Sequence, residues 1–437
     1  MRAMVETGGL WLAGLLALAA RAPAALVLSQ AQQAEESCVE CHGAEGQMLA
    51  RSRHSRAGVG CTACHGGVAG TLDKDEAHGE ALRSLRDPLE SVESCGGCHA
   101  DTGTMRRFGL RTDQLALYWT SRHGERLRAE GDLNVATCVS CHGSHGILGP
   151  NDPRSPVHPF NTPTTCGRCH SDPELMESYG LKADEGELYR RSVHGRALIE
   201  EGHLSSPGCA NCHGSHGATP PRVEEVGGVC GQCHSVVQDY FEEGAHMRAA
   251  EKGLMEECVS CHGNHLVTAP SVAMFLGDEP GHCGSCHRDE DDPGLQVARS
   301  FHERLGKFDD RIRETEEALV RAAASGLFID REHGYLEEAQ GLRVRARTLT
   351  HALSEDALVD LLNRGRAMIQ ETVESLEVKN RALRDRKIFT SIFLAVVLVL
   401  AAVLLTYRHE ISGGRGTARR AAPVPDQEGA LAERDGP

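Results

Sequence analysis

Cys138-Val139-Ser140-Cys141-His142-Gly143-Ser144-His145 is the stretch on which the reading of this chain turns. It holds two cysteines three positions apart, a histidine directly after the second, and another histidine three residues on. The same string returns as Cys209-Ala210-Asn211-Cys212-His213-Gly214-Ser215-His216, and with one change as Cys258-Val259-Ser260-Cys261-His262-Gly263-Asn264-His265. Its core, Cys-x-x-Cys-His, also stands at Cys38/Cys41/His42, Cys61/Cys64/His65, Cys95/Cys98/His99, Cys166/Cys169/His170, Cys230/Cys233/His234 and Cys283/Cys286/His287. Nine motifs with two cysteines each use all 18 cysteines of the chain. Eighteen cysteines alone would suggest a disulfide framework, but the spacing leaves none for it.

Cys-x-x-Cys-His is the attachment signature of c-type haem. The two thiols form thioethers to the haem vinyl groups, and the adjacent imidazole becomes the proximal iron ligand. The sequence therefore predicts nine covalently bound haem c groups, with His42, His65, His99, His142, His170, His213, His234, His262 and His287 as proximal ligands. Composition agrees: only 4% of residues are aromatic, so porphyrin is expected to supply much of the apolar interior. The net charge of −16, from 62 acidic and 46 basic residues, argues against nucleic-acid binding, which needs a basic face.

The motifs are organised by an internal repeat. Tyr118-Trp119-Thr120-Ser121-Arg122-His123-Gly124 matches Tyr189-Arg190-Arg191-Ser192-Val193-His194-Gly195, and each histidine stands 15 residues before the next CxxCH. The unit is a free histidine, then CxxCHGxH, then CxxCH. Three clear copies follow a degenerate first one (Ser52-Arg53-His54, Cys61, His78, Cys95), and the Cys38 motif precedes them as a half unit. A haem that only carries electrons needs a sixth ligand. The recurring slots supply nine distal candidates: His54, His123, His194, His246 and His302 upstream; His145, His216 and His265 in CHGxH; and His78 in the first unit. His158 competes with His78. His203, His282, His333, His351 and His409 recur nowhere and are read as non-ligands. Bis-histidine ligation lacks the methionine that raises potentials, so low potentials are expected.

Gly and Pro lie densely between motifs, so residues 32–302 read as a loop-rich nonahaem domain with short helices and little strand. Beyond it, Leu305, Phe308, Ile312 and Leu319, then Leu358, Leu361, Leu362, Ile369, Val373 and Leu376, follow helical spacing. Two or three long amphipathic helices are expected over 303–387, broken near Ser325-Gly326 and restarting after Ser354. They form a bundle, with homo-oligomerisation through them as a further option. Ile388–Tyr407 is apolar and long enough to span a bilayer, and carries no His, Cys or Met. Residues 1–31 read as a signal peptide, with an uncleaved anchor as the alternative. Residues 408–437 read as a disordered cytoplasmic tail; basic residues flank the span on both sides (Arg381, Arg384, Arg386 and Lys387; Arg408, Arg415, Arg419 and Arg420), so haem attachment outside the cytoplasm, not the charge count, sets the orientation. The fold class is thus mainly α: a loop-rich multihaem cytochrome c domain, long amphipathic helices and one transmembrane helix, the haem domain facing the periplasm.

At the CxxCH motifs the chain resembles multihaem cytochromes c of the doubled-CxxCH type. This group includes pentahaem nitrite reductase, hydroxylamine oxidoreductase and octahaem tetrathionate reductase. The likeness covers about residues 38–302, with a similarity of layout to hydroxylamine oxidoreductases at the C-terminal helices. The chain departs from nitrite reductases in lacking their CxxCK motif, and no tyrosine here is matched to the cross-linking tyrosine of hydroxylamine oxidoreductases. The expectation is an electron carrier linking a membrane quinol-oxidising complex to periplasmic cytochromes or other redox proteins, and not an enzyme. The alternative is a reductase or dehydrogenase of nitrogen or sulfur oxyanions. It needs one open iron, for which the haems at Cys95 and Cys38 are the suspects.

Overall fold

The computed structural model describes residues 37–221 and 226–414. The expected signal peptide and most of the expected tail lie outside the described residues. Among those described, all regular structure is helical and no strand occurs.

The chain divides into two compact units. The first comprises the residues up to Val229 together with His262–Ala269; the second comprises Cys230–Cys261 and everything from Pro270. This differs from a division at residue 302, because the last CxxCH motif belongs with the long helices that follow it.

In the first unit the helices are short, as expected. Each motif forms one helical turn (Cys61–His65, Cys138–His142, Cys209–His213) or ends a slightly longer helix (Pro88–His99, Thr162–His170). Asp87 caps the longest of these, its carboxylate accepting from the Leu89 and Glu90 N–H groups ahead of Pro88. The CHG glycines end theirs: Gly66, Gly143, Gly214 and Gly263 adopt φ of 65°, 76°, 79° and 72°. Only glycine takes that left-handed region without cost. The chain therefore reverses straight after the motif and sends the following histidine elsewhere. The apolar side-chain core of this unit is small, built on Val92, Tyr118 and Leu127.

The second unit is dominated by three helices, α1 (Pro293–Ala324), α2 (Asp330–Leu349) and α3 (Glu355–Gly414). Asp292 caps α1 by accepting from Gly294 N–H at 2.7 Å, and Gly326 (φ 80°) turns the chain into α2. The core interleaves Phe301, Leu305, Phe308 and Ile312 of α1, Leu336, Ala339 and Leu342 of α2, and Leu358, Leu362 and Ile369 of α3. Each large side chain so buried contributes about 1.5–3 kcal/mol. The predicted stripe is this core, with Val373 packed at its edge. Bonds across the bundle set the register. The Ser300 hydroxyl donates to Glu355 at 2.6 Å, and Arg347 donates to Asp309 at 2.7 Å. The Lys379 ammonium reaches Glu332 at 2.8 Å and the Phe328 carbonyl at 2.6 Å.

Glu332 is fully buried. Burial alone would raise its pKa, but the hydrogen bonds from Lys379 and Ser375 outweigh it and hold the carboxyl below its usual range. α3 continues without a break through Ile388–Tyr407, making one helix long and apolar enough to cross a membrane. It also runs on to Gly414. Residues 408–414 are therefore helical, where disorder was expected, because nothing after the apolar run breaks the helix before Gly413-Gly414.

Candidate functional site

The histidines singled out by spacing come together in pairs, one from a CxxCH motif and one from a distal slot. Seven such pairs lie within the units: His42–His78, His54–His99, His65–His145, His123–His170, His142–His216, His213–His265 and His246–His287. Their ring centroids are separated by 5.9 to 6.1 Å. That uniformity has a chemical meaning. An imidazole–metal bond of about 2 Å plus about 1.1 Å from nitrogen to ring centre, doubled, gives roughly 6 Å across one metal. No three or more His, Cys, Asp or Glu side chains gather as they would for a bare ion among the described residues. Each site thus offers two facing imidazoles beside a pair of cysteines, which could hold a metal that takes its remaining ligands from elsewhere.

A rule governs the pairing. Upstream histidines His54, His123 and His246 face His99, His170 and His287, the second CxxCH of their own repeat. The CHGxH histidines His145, His216 and His265 face His65, His142 and His213, the first CxxCH of the repeat before. In three repeats the upstream histidine thus closes a site of its own repeat, and in three the CHGxH histidine reaches back to the repeat before. A recurrent backbone bond fastens the overlap. The N–H groups of Arg53, Arg122 and Val193, each directly before an upstream histidine, donate to the carbonyls of Ile147, Ala218 and Val267 at 2.8, 3.1 and 2.9 Å. Each acceptor stands two residues past a CHGxH histidine.

His78 faces His42. Its competitor His158 is buried in a loop, where its Nδ1 accepts from Phe160 N–H and its carbonyl from Asn161 and Thr162 N–H. The remaining candidates His194 and His302, and the motif histidines His234 and His262, are not among these seven pairs. Of the histidines read as non-ligands, His203 and His333 sit on the surface beside Glu201 and Glu337. His351 Nδ1 donates to the Thr348 carbonyl, and His282 is half-buried ahead of Cys283.

The rest of the repeat signature builds the scaffold. The Tyr118 and Tyr189 hydroxyls donate to the Ala136 and Pro207 carbonyls, both at 2.9 Å, pinning the segment two residues before each first cysteine. Ser121 and Ser192 cap the helices that carry His123 and His194, each accepting from the glycine N–H three residues on at 3.0 Å. Gly124 and Gly195 lie so close to the preceding turn that a Cβ would stand 2.0 Å from the Tyr118 or Tyr189 carbonyl oxygen.

Several ring orientations are set by bonds that sequence reasoning missed. His65 Nδ1 donates to the Arg83 carbonyl at 3.1 Å, His213 Nδ1 to the Thr219 carbonyl at 3.4 Å, and His287 Nδ1 to the Asp292 carboxylate at 2.9 Å. Among distal candidates, His302 Nδ1 donates to the Val272 carbonyl at 2.9 Å. A carbonyl or carboxylate can only accept, so Nδ1 carries the proton and Nε2 keeps its lone pair for a metal. Burial, and then the facing imidazole, lowers the pKa of His54, His123, His142, His246 and His265. These rings are biased toward the neutral form that ligates.

The cysteines of a motif, alike in the sequence, are placed differently. The first ones adjoin in series. Cys95 lies against Cys138, Cys166 against Cys209 and Cys230 against Cys258, in each case the second motif of one repeat beside the first of the next. All nine first cysteines are half-buried. The second cysteines stand outside that series and lie further out. Cys41, Cys98, Cys233 and Cys286 are exposed, as are Cys212 and Cys261, whereas Cys64, Cys141 and Cys169 are half-buried.

In six of the nine motifs the second cysteine is thus more exposed than the first. A motif helix is too short to bury both of its ends, and the second cysteine sits one turn on, where the chain is about to leave. Cys64 and Cys169 illustrate the two endings: Gly66 reverses the chain just after the first, and Ser171 stops the helix just after the second. Cys286 ends its turn beside the Ser285 hydroxyl, 3.8 Å from its sulfur. No disulfide joins any of the 18 cysteines. Compared with known proteins, the chain matches no family model, no curated protein and no solved structure.

Proposed function

We propose that this chain is a membrane-anchored nonahaem c-type cytochrome that relays electrons on the periplasmic side. The observation carrying the reading is the set of seven histidine pairs at one spacing, each joining a CxxCH histidine to a distal one. Each of these histidine pairs would hold a haem iron from both sides, and the haem would supply a one-electron couple with no position left for substrate at those seven sites. The chain's own residues do the rest. The Nδ1 bonds aim the proximal rings, and the Tyr and Ser contacts position the distal helices. The adjoining first cysteines keep successive attachment points side by side. Second cysteines such as Cys41, Cys98, Cys233 and Cys286 present thiols that attachment chemistry can reach. The facing of His99 by His54 and of His42 by His78 speaks against the oxyanion-enzyme alternative at the two motifs that were its suspects.

Residues 388–407 serve as the anchor. The attachment chemistry, which takes place outside the cytoplasm, puts the motifs on the outer face. The span holds no His, Cys or Met, so electrons enter and leave on that face, exchanged with a membrane redox complex or periplasmic carriers. The test is a pyridine haemochrome count with EPR of the oxidised protein, alongside nitrite, hydroxylamine and tetrathionate assays. Nine haems, all low-spin, with no turnover, is the expected result. Fewer haems, or a high-spin signal with turnover, would overturn the reading.

A further inference from the structure

The second unit fixes the height of one site. His287 donates through Nδ1 to Asp292 Oδ2, while Asp292 Oδ1 accepts from Gly294 N–H and so caps α1. One carboxylate therefore ties the His246–His287 pair to the first turn of the bundle. α1 and α3 run in the same direction: Ser300 bonds Glu355, and further along Phe308 lies against Gly365. His287 thus stands beyond the level of Glu355, on the side away from the apolar span.

From Glu355 to Ile388 is 33 residues of unbroken helix (388 − 355). At 1.5 Å per residue that is about 50 Å. A tilt of about 20° leaves roughly 47 Å, and one of about 40° still leaves roughly 38 Å. Either exceeds the hydrocarbon core, about 30 Å thick, which already insulates one side of a membrane from the other.

The surroundings of this pair carry a sign as well. Of the charged residues flanking this pair in the chain, Glu242, Glu243, Glu251, Asp289 and Asp291 are exposed, against exposed Arg248, Lys252 and Arg288. Glu290 is already paired with Arg299 at 2.6 Å.

We infer that the three-helix bundle is a stand-off: it holds the His246–His287 site clear of the bilayer, so that this site trades electrons with a water-borne redox protein presenting a basic face, and not with a quinol dissolved in the lipid. The inference rests on the haem-carrier reading and narrows its partner. Electrostatic attraction steers such a carrier in, and salt weakens it.

The experiment uses the full-length haem-loaded protein in lipid nanodiscs and liposomes, with three donors: a small basic cytochrome c in the water phase, an anionic soluble mediator, and a long-chain quinol confined to the bilayer. Cryo-electron microscopy of the nanodisc sample reads the height directly, with no dependence on redox activity. Expected are a bundle standing off the bilayer, reduction by the basic cytochrome that slows severalfold between low and high salt, and no reduction by the quinol. Asp289→Asn with Asp291→Asn flattens the salt dependence without altering the haem spectrum. A bundle lying on the membrane, rapid reduction by the lipid quinol, or exchange with the basic cytochrome that ignores salt would each overturn the inference. A haemochrome count of zero would instead sink the carrier reading, and the measured height would still decide the stand-off.

Discussion

Gly124→Ala adds a single methyl where the chain has no room. Its Cβ would stand 2.0 Å from the Tyr118 carbonyl oxygen and 2.8 Å from the carbonyl carbon. The oxygen is at least about 1.2 Å, and the carbon about 0.7 Å, inside van der Waals contact. Both atoms are backbone, and Tyr118 is held by its hydroxyl bond to Ala136 and by Ser121, so the helix bearing His123 must move instead. Overpacking of this kind costs about 1–3 kcal/mol. A metal site tolerates only about 0.2 Å in its bond lengths, so a shift of this size detaches His123 from the site it shares with His170. The expected readout is one iron in nine turning high-spin by EPR and magnetic circular dichroism, with the haemochrome count unchanged. Gly306→Ala, whose Cβ meets nothing within 4 Å, is the control. It leaves the spectrum alone and gains up to about 1 kcal/mol of helix propensity. Nine low-spin irons in Gly124→Ala would mean that His123 is not a ligand or that the turn yields freely, and the argument would fail.

Ser192→Ala removes the cap of the His194 helix and should cost about 1 kcal/mol in urea melts, with Ser192→Thr retaining most of it. Lys379→Met strands the buried Glu332 carboxylate and should cost the bundle a few kcal/mol, at the lower end of the roughly 3–5 kcal/mol for a fully buried pair because Lys379 is partly exposed. In the native protein the folded pKa of Glu332 is depressed, so its contribution is full above the unfolded carboxyl value and fades as pH falls through the folded one. Thermal melts of the bundle should show that acid loss, and Lys379→Met should abolish or reverse it; an unchanged profile would refute the pairing. The ring planes predict two classes of low-spin EPR signal. His142–His216 and His213–His265 lie at 11° and 19° and, holding iron as proposed, would donate to the same iron orbital and give rhombic spectra. His42–His78 and His123–His170 lie at 65° and 57°, which leaves the orbitals nearly degenerate and pushes the largest g-value up. A single rhombic class would contradict these geometries.

Much of this was legible in the sequence because the chemistry is local. The nine motifs and nine distal candidates follow from fixed spacing, and the stripe through Leu305, Phe308 and Leu362 follows from helical period. The pairing was not legible, since spacing does not say whether the CHGxH histidine serves its own repeat or the one before. Nor was the difference between the two cysteines of a motif, since Cys95 and Cys98 read alike until the helix places one against Cys138 and the other in solvent. The Nδ1 acceptors of His65, His213 and His302 are backbone carbonyls of Arg83, Thr219 and Val272, which no side-chain identity announces. α2 was the hardest helix to read because several of its buried positions, Ala339 and Ala346 among them, are small.

The backward reach of the CHGxH histidines gives the array an order of assembly. His65, His142 and His213 each wait for a partner that is synthesised one repeat later, so a growing chain always ends in an incomplete site and heals it only by lengthening. If the chain carries haem as proposed, one cut after a whole repeat would leave its last such histidine without a facing imidazole, and gain or loss of a single repeat would open or close a metal position at the end of the array.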